Sequence, residues 1–243
     1  MRKDVNRIPA LLRSFHGRQA LLLAATGALL LWIFHATNLD LRLEAPYYDA
    51  VNDTFPWRYA WVSKYLVHRY VKYALLCAGV MVWLVALAMA RGRVPRLLVG
   101  YQRRWWLVAW AFVCVPLLLV GLRNSSAMHC PWDIDAFGGY APYADLLSTV
   151  PADIPRGSCF PAAGMSVGAW LLAFALLWFP EHRLRSYLLG LVAFAVAFGL
   201  GWSQQMRGAH FLSHTLWSLW ISWATILVLH RLGGAWKEDA SRA

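Results

Sequence analysis

Long apolar runs separated by short polar breaks dominate this chain. A helix needs about 20 residues to cross a hydrocarbon core of roughly 30 Å. Six runs approach that length, at about 19–37, 70–90, 105–122, 163–180, 186–204 and 211–230. Only Pro180 to Arg185 separates the fourth from the fifth. Two mixed segments stand between the runs. Leu39 to Arg69 carries Pro46, Pro56 and many aromatics, which predicts helical pieces lying in the interface plane. Arg123 to Ala162 is rich in turn formers, and its Trp132, Phe137, Tyr140 and Phe160 need burial. It is expected to fold as an ordered cap over the bundle. The reading is a single all-α domain over 1–243: an integral membrane six-helix bundle with two extramembrane segments on its outer face.

Composition supports this picture. Hydrophobic residues make up 60% of the chain and charged ones 14%, with a mean hydropathy of +0.45. Those values lie outside ordinary soluble domains. Fifteen tryptophans and ten tyrosines suit interfacial belts, as at Trp105, Trp106, Trp170 and Trp178. The first run begins near Ala20 and ends at Thr37-Asn38 without a small-x-small cleavage site, so it reads as an uncleaved span.

Basic residues orient the bundle. Arg2, Lys3, Arg7, Arg13, Arg18, Arg91, Arg93, Arg96, Arg103, Arg104, Arg183, Arg185, Arg231, Lys237 and Arg242 all fall on one side, fifteen of the 23 Lys and Arg. The positive-inside rule then places both termini in the cytoplasm. Topology and anionic headgroups account for the net charge of +11, so no nucleic acid partner is implied. Cys77 and Cys114 fall inside spans and are expected to be buried apolar residues. Cys130 and Cys159 share the second outer segment. A loop-closing disulfide, if that side is oxidising, and two separate thiols both remain open.

Candidate chemistry concentrates in Gly199 to Ser218, where Ser203, Gln204, Gln205, Arg207, His210, Ser213 and His214 interrupt two apolar runs. Ionisable groups at a span's end are expensive and usually mark a site. Two further clusters, RNSSAMHCPWD from Arg123 to Asp133 and CFPAAGMS from Cys159 to Ser166, are expected on the same face. Folding these ends together would gather Arg123, Arg207, His210, Ser203 and His129 around one pocket. Guanidinium forks bind phosphate oxygens bidentately, and histidine can act as base or covalent nucleophile. His210 and His214 also sit i, i+4, which fits a metal pair completed by Asp133 or His129. That is the weaker reading, and Asp133 and Asp135 read more simply as loop caps. His35 and His68 are expected at the interface.

These residues resemble the type 2 phosphatidic acid phosphatase superfamily of membrane lipid phosphatases. Its pattern is K-x-x-x-x-x-x-R-P, then P-S-G-H, then S-R-x-x-x-x-x-H-x-x-x-D. Arg123 takes the lysine position, Cys130-Pro131 stands for Arg-Pro, and FPAAGMS is similar to the second block. Ser203 and His210 match the third block, with Gln204 at its arginine. A bacterial branch reading CPWDL, CFP-G-H-S and QQ-RGAHFLSHD is closer still to CPWDI, CFP and QQMRGAHFLSH here.

The resemblance implies a phosphohistidine mechanism at the periplasmic face of a bacterial inner membrane. His210 would be the nucleophile, Arg123 and Arg207 the phosphate clamps, and Ser203 and Gln204 their neighbours. The ligand would be a phosphorylated lipid: lipid A, an undecaprenyl carrier or a phospholipid. No metal or other cofactor is expected, because arginines supply the charge.

Two catalytic partners depart from the pattern. Gly164 or Met165 stands where the second-block histidine belongs, and His214 or Thr215 where the orienting carboxylate belongs. His129 is a candidate replacement for the lost acid. The expectations are a lipid phosphatase or phosphotransferase with impaired catalysis, a pseudoenzyme that binds or senses such a lipid, or a transport or structural subunit.

Overall fold

The first helix, α1 (Phe15–Ala36), starts where the Ser14 hydroxyl accepts the Gly17 N–H at 2.9 Å, satisfying one of the free donors of a helix N-terminus. The computed structural model describes residues 14–93 and 100–233. Of the basic residues used for orientation, Arg2, Lys3, Arg7, Arg13, Arg96, Lys237 and Arg242 lie outside them. After α1 come α2 (Leu39–Glu44), α3 (Val62–Ala90, with π winding over Val62–Val71) and α4 (Gln102–Ser125). A mixed 3₁₀ and α run, α5 (Ala163–Leu176), precedes α6 (Arg183–Met206) and α7 (Leu212–Leu232). Among the described residues the regular structure is all helical.

Five of these helices, α1, α3, α4, α6 and α7, are long and apolar enough to cross a membrane, which makes the chain a multi-pass membrane protein. The expected fourth span, 163–180, forms a shorter apolar helix than its run suggests. Its helix stops at Leu176, and the remaining apolar residues turn through Pro180 instead. The reason is its surroundings. Ala169, Trp170 and Ala173 are fully buried, and α5 packs against α3, α4, α6 and α7. A helix enclosed by protein need not match the hydrocarbon thickness. It still joins the two ends of the bundle. Cys159, just before it, lies against His210. Glu181, just after it, pairs with Arg104 in the first turn of α4 at 2.6 and 2.7 Å.

Helix α1 stands at the periphery and packs on α7, where Trp220 donates to the Leu23 carbonyl at 2.9 Å. Cys77 is exposed and Cys114 half-buried, contrary to expectation. Both lie on long apolar helices, where an exposed face meets lipid rather than water, so neither needs a protein interior.

The two mixed segments fold over the end where α4 and α6 finish and α7 begins. Phe55, Ile134, Phe137 and Phe211 form a second apolar cluster there, flanked by Tyr48, Trp132 and Tyr143. The long loop is laced by Gly157 N–H to Ala127 O at 3.1 Å, Ser158 N–H to Ser126 O at 3.2 Å and Cys159 N–H to Met128 O at 3.0 Å. Cys130 and Cys159 are disulfide-bonded, with 5.3 Å between their Cα atoms. The ordered cap is thus present, although Tyr140 remains exposed with its ring edge-on to His129. The first segment is not purely interfacial, because α2 packs against α7 and buries both Asp40 and Glu44.

Candidate functional site

The C-terminus of α6 builds the turn that carries the candidate histidine. Gly208 adopts a left-handed φ of +70°, which glycine takes without a Cβ penalty. Its N–H reaches Gln205 O at 2.8 Å, and the Ala209 N–H reaches Gln204 O at 2.9 Å. This is the paired closure of a Schellman motif, which satisfies carbonyls otherwise left free at the helix end. The Gly208 carbonyl accepts the Trp132 N–H at 3.0 Å, and the Phe55 ring covers the face where a Cβ would project. The sequence MRGAH therefore turns sharply, and α7 starts one residue after His210 and Phe211.

His210 is buried and stays uncharged at neutral pH. Burial first, and the charge of Arg123 second, lower its pKa to about 3. The Cys159 carbonyl opposes that shift, and Arg207 adds to it. Two arginines from different elements thus act on this imidazole through their charge. Its Nδ1 lies 3.4 Å from the disulfide sulfur of Cys159. Among the described residues no carboxylate bonds to it.

Arg207, half-buried at the end of α6, donates to Gln204 Oε1 at 3.2 Å and keeps a buried Nε without a partner. Burial and the nearby charge of Arg58 make it a weaker base than usual, so it is a cation in want of an anion. Arg123 is exposed and, among the described residues, uses only its Nε, which donates to Ser158 O at 2.8 Å. That leaves the forked end of its guanidinium available. Arg58 lies over the Trp132 ring at 4.4 Å and is the third cation, from the segment expected in the interface plane.

The other candidates divide. Gln204 is buried and positions Arg207, whereas Ser203 turns back to its own helix, donating to Leu200 O at 2.7 Å. His129 is buried in the loop with Nε2 on the Pro155 carbonyl at 2.9 Å, and no bond among the described residues joins it to His210. Gly164 is exposed, with open space around any added Cβ, while Met165 is fully buried in the core. His214 is fully buried, neither ring nitrogen makes a well-formed hydrogen bond among the described residues, and Phe160 and Phe211 flank it with ring centroids at 5.4 Å. Thr215 is buried against Gly201 with an unpartnered hydroxyl.

For a metal, the donors that come together are Cys130, Cys159 and His210, not His210 with His214 and Asp133. The disulfide uses both sulfurs, so no thiolate remains to ligate an ion. Asp133 instead accepts the Trp132 indole N–H at 3.1 Å.

Sequence reasoning missed two carboxyls from α2. Asp40 caps α7 from 173 residues away, accepting the Ser213 N–H at 2.9 Å, the Ser213 hydroxyl, and the Tyr143 hydroxyl at 3.2 Å. Burial raises its pKa to about 6 despite those hydrogen bonds, which favour the charged form. Glu44, one turn on, is wholly buried, and neither carboxyl oxygen has a partner. Burial, with the neighbouring Asp40 charge, raises its pKa to about 10, so it is a neutral acid at physiological pH. The i, i+4 spacing of these acids in a short apolar-aromatic segment was the available signal.

Comparison of the chain with known protein families, with curated proteins and with solved structures finds no match.

Proposed function

We propose that this membrane protein holds a phosphorylated lipid at the Arg123–Arg207–His210 cluster and does not cleave it efficiently. The site is that of a phosphatidic acid phosphatase-like protein in which the clamp is kept and proton transfer is lost. One observation carries the reading: two arginines act on a buried, uncharged His210 that has no carboxylate partner among the described residues. An anion placed there would satisfy the free ends of Arg123 and Arg207. A nucleophile without an orienting carboxylate or general acid typically loses about 10² to 10⁴ in rate for each missing group.

Counting α5 as a crossing gives six spans, with both termini cytoplasmic and the cluster at the periplasmic face of a bacterial inner membrane. The lipid then belongs to the lipid A, undecaprenyl carrier or phospholipid class. One observation favours residual phosphatase activity instead: an imidazole that is unprotonated at neutral pH has a lone pair free for attack on phosphorus.

Phosphatidic acid offered to the purified protein in nanodiscs separates the readings. Retention without phosphate release is expected. Arg123→Ala and Arg207→Ala should each weaken binding by about 10- to 100-fold, since a charged hydrogen bond contributes about 1.5–3 kcal/mol. Phosphate release that vanishes in His210→Ala would establish the enzyme. Binding unchanged in both arginine variants would remove the site from consideration and favour a transport or structural role.

A further inference from the structure

At the opposite end of the bundle, α1, α5 and α6 enclose a cavity of about 600 Å³. Its lining changes along the helix axes. Arg18 and Arg183 stand at the mouth, in the first turns of α1 and α6. Leu22, one turn further along α1, and Leu191, two turns further along α6, line its apolar part and are exposed, as side chains facing lipid are. Gln19 also lines it, its side-chain oxygen accepting the Trp223 indole N–H at 2.9 Å.

The mouth is a site of uncompensated positive charge. Neither Arg18 nor Arg183 has a side-chain partner among the described residues. Glu181, two residues before Arg183, is held by both terminal nitrogens of Arg104 and cannot serve them. The first turn of α6 contains no acidic residue, so the partial positive charge of that helix end adds to the same field. Ser186, lining the cavity in that turn, is buried and its hydroxyl has no partner.

We propose that this cavity is a binding site for an anionic phospholipid of the bilayer leaflet at this end. The lipid phosphate sits between Arg18 and Arg183 at headgroup level, and one acyl chain lies along Leu22 and Leu191. The charged end and the exposed apolar wall match the two halves of such a lipid. A soluble anion would use only the mouth and a neutral lipid only the wall. The site is separate from the His210 cluster and stands whether or not that cluster binds phosphate.

Native mass spectrometry of the delipidated, detergent-purified protein tests the proposal, comparing phosphatidylglycerol with phosphatidylcholine of the same chains. The parent should retain phosphatidylglycerol preferentially. Arg18→Ala/Arg183→Ala should reduce that retention at least tenfold. Leu191→Trp, which fills the apolar part without altering charge, should reduce it comparably. Arg69→Ala/Lys72→Ala removes two exposed charges elsewhere and should leave it unchanged. Equal loss in both charge-deletion variants would reduce the effect to general surface charge and overturn the proposal. So would full competition by inorganic phosphate with no effect of Leu191→Trp, since the occupant would then be a free anion.

Discussion

Asp40 and Glu44 show how burial sets the charge of a side chain here. Both bind a proton more tightly in the folded protein than in the unfolded chain, with pKa values raised to about 6 and about 10. The stability linked to each is therefore fully present below its unfolded pKa and is lost as pH rises through the folded value. For Asp40 that window closes near pH 6. For Glu44 it extends across neutrality to about pH 10. Between pH 7 and 9 the melting temperature in detergent should fall steadily, with a slope of up to about 1.4 kcal/mol per pH unit from one proton. Glu44→Gln keeps the size and neutrality of the protonated acid and should flatten that part of the curve. An unchanged slope in Glu44→Gln would show that another group is responsible. Neither residue was identified as a site candidate from the sequence. The partner of Asp40 is remote, in its bond to Ser213 across 173 positions, and the spacing of the two acids does not announce that contact.

The helices divide by how they meet their surroundings. Run length located α1, α3, α4, α6 and α7 to within a few residues, except that α3 begins eight residues before the expected Tyr70. It overestimated the length of α5, because a helix buried in protein and one facing lipid are equally apolar and differ only in the length they require. The loop before α5 shows the reverse case. Its turn formers predicted order, while its covalent closure stayed open until Cys130 and Cys159 were seen bonded. Their sequence separation of 29 implies about 3–4 kcal/mol of loop-closure stabilisation. Cys130→Ser/Cys159→Ser should therefore lower the melting temperature. It should also speed tryptic cleavage after Arg156, which is held in this loop by the Ser125 carbonyl at 2.9 Å. Cleavage at the parental rate would mean that the backbone lacing at Gly157–Cys159 suffices alone.

The assembled site depends on the bundle as a whole, drawing Arg123 from the end of α4, Arg207 from the end of α6, His210 from the next turn and Arg58 from the first outer segment. The first three were legible because their residue types cluster at the ends of apolar runs. Arg58 was not, since only folding brings it to Arg207 and Trp132. If this assembly is an otherwise intact phosphatase framework, restoring the two absent groups should restore turnover. Gly164 is the better position for the acid, because an added side chain enters open space there, whereas Met165 is locked in the core. Thr215 is the better position for the carboxylate. Its hydroxyl is buried without a partner, and aspartate is close to it in size, while replacing His214 would empty an aromatic pocket. Gly164→His/Thr215→Asp should release phosphate from phosphatidic acid at least about 100-fold faster than the parent, the span of one proton-transfer partner. Each single variant should gain less, because acid and carboxylate act through the same histidine. Adding His210→Ala should abolish the gain. A double variant that binds the lipid, keeps the parental melting temperature and releases no phosphate would show that the arginines and His210 are not aligned for attack. The cluster would then be a binding site by construction.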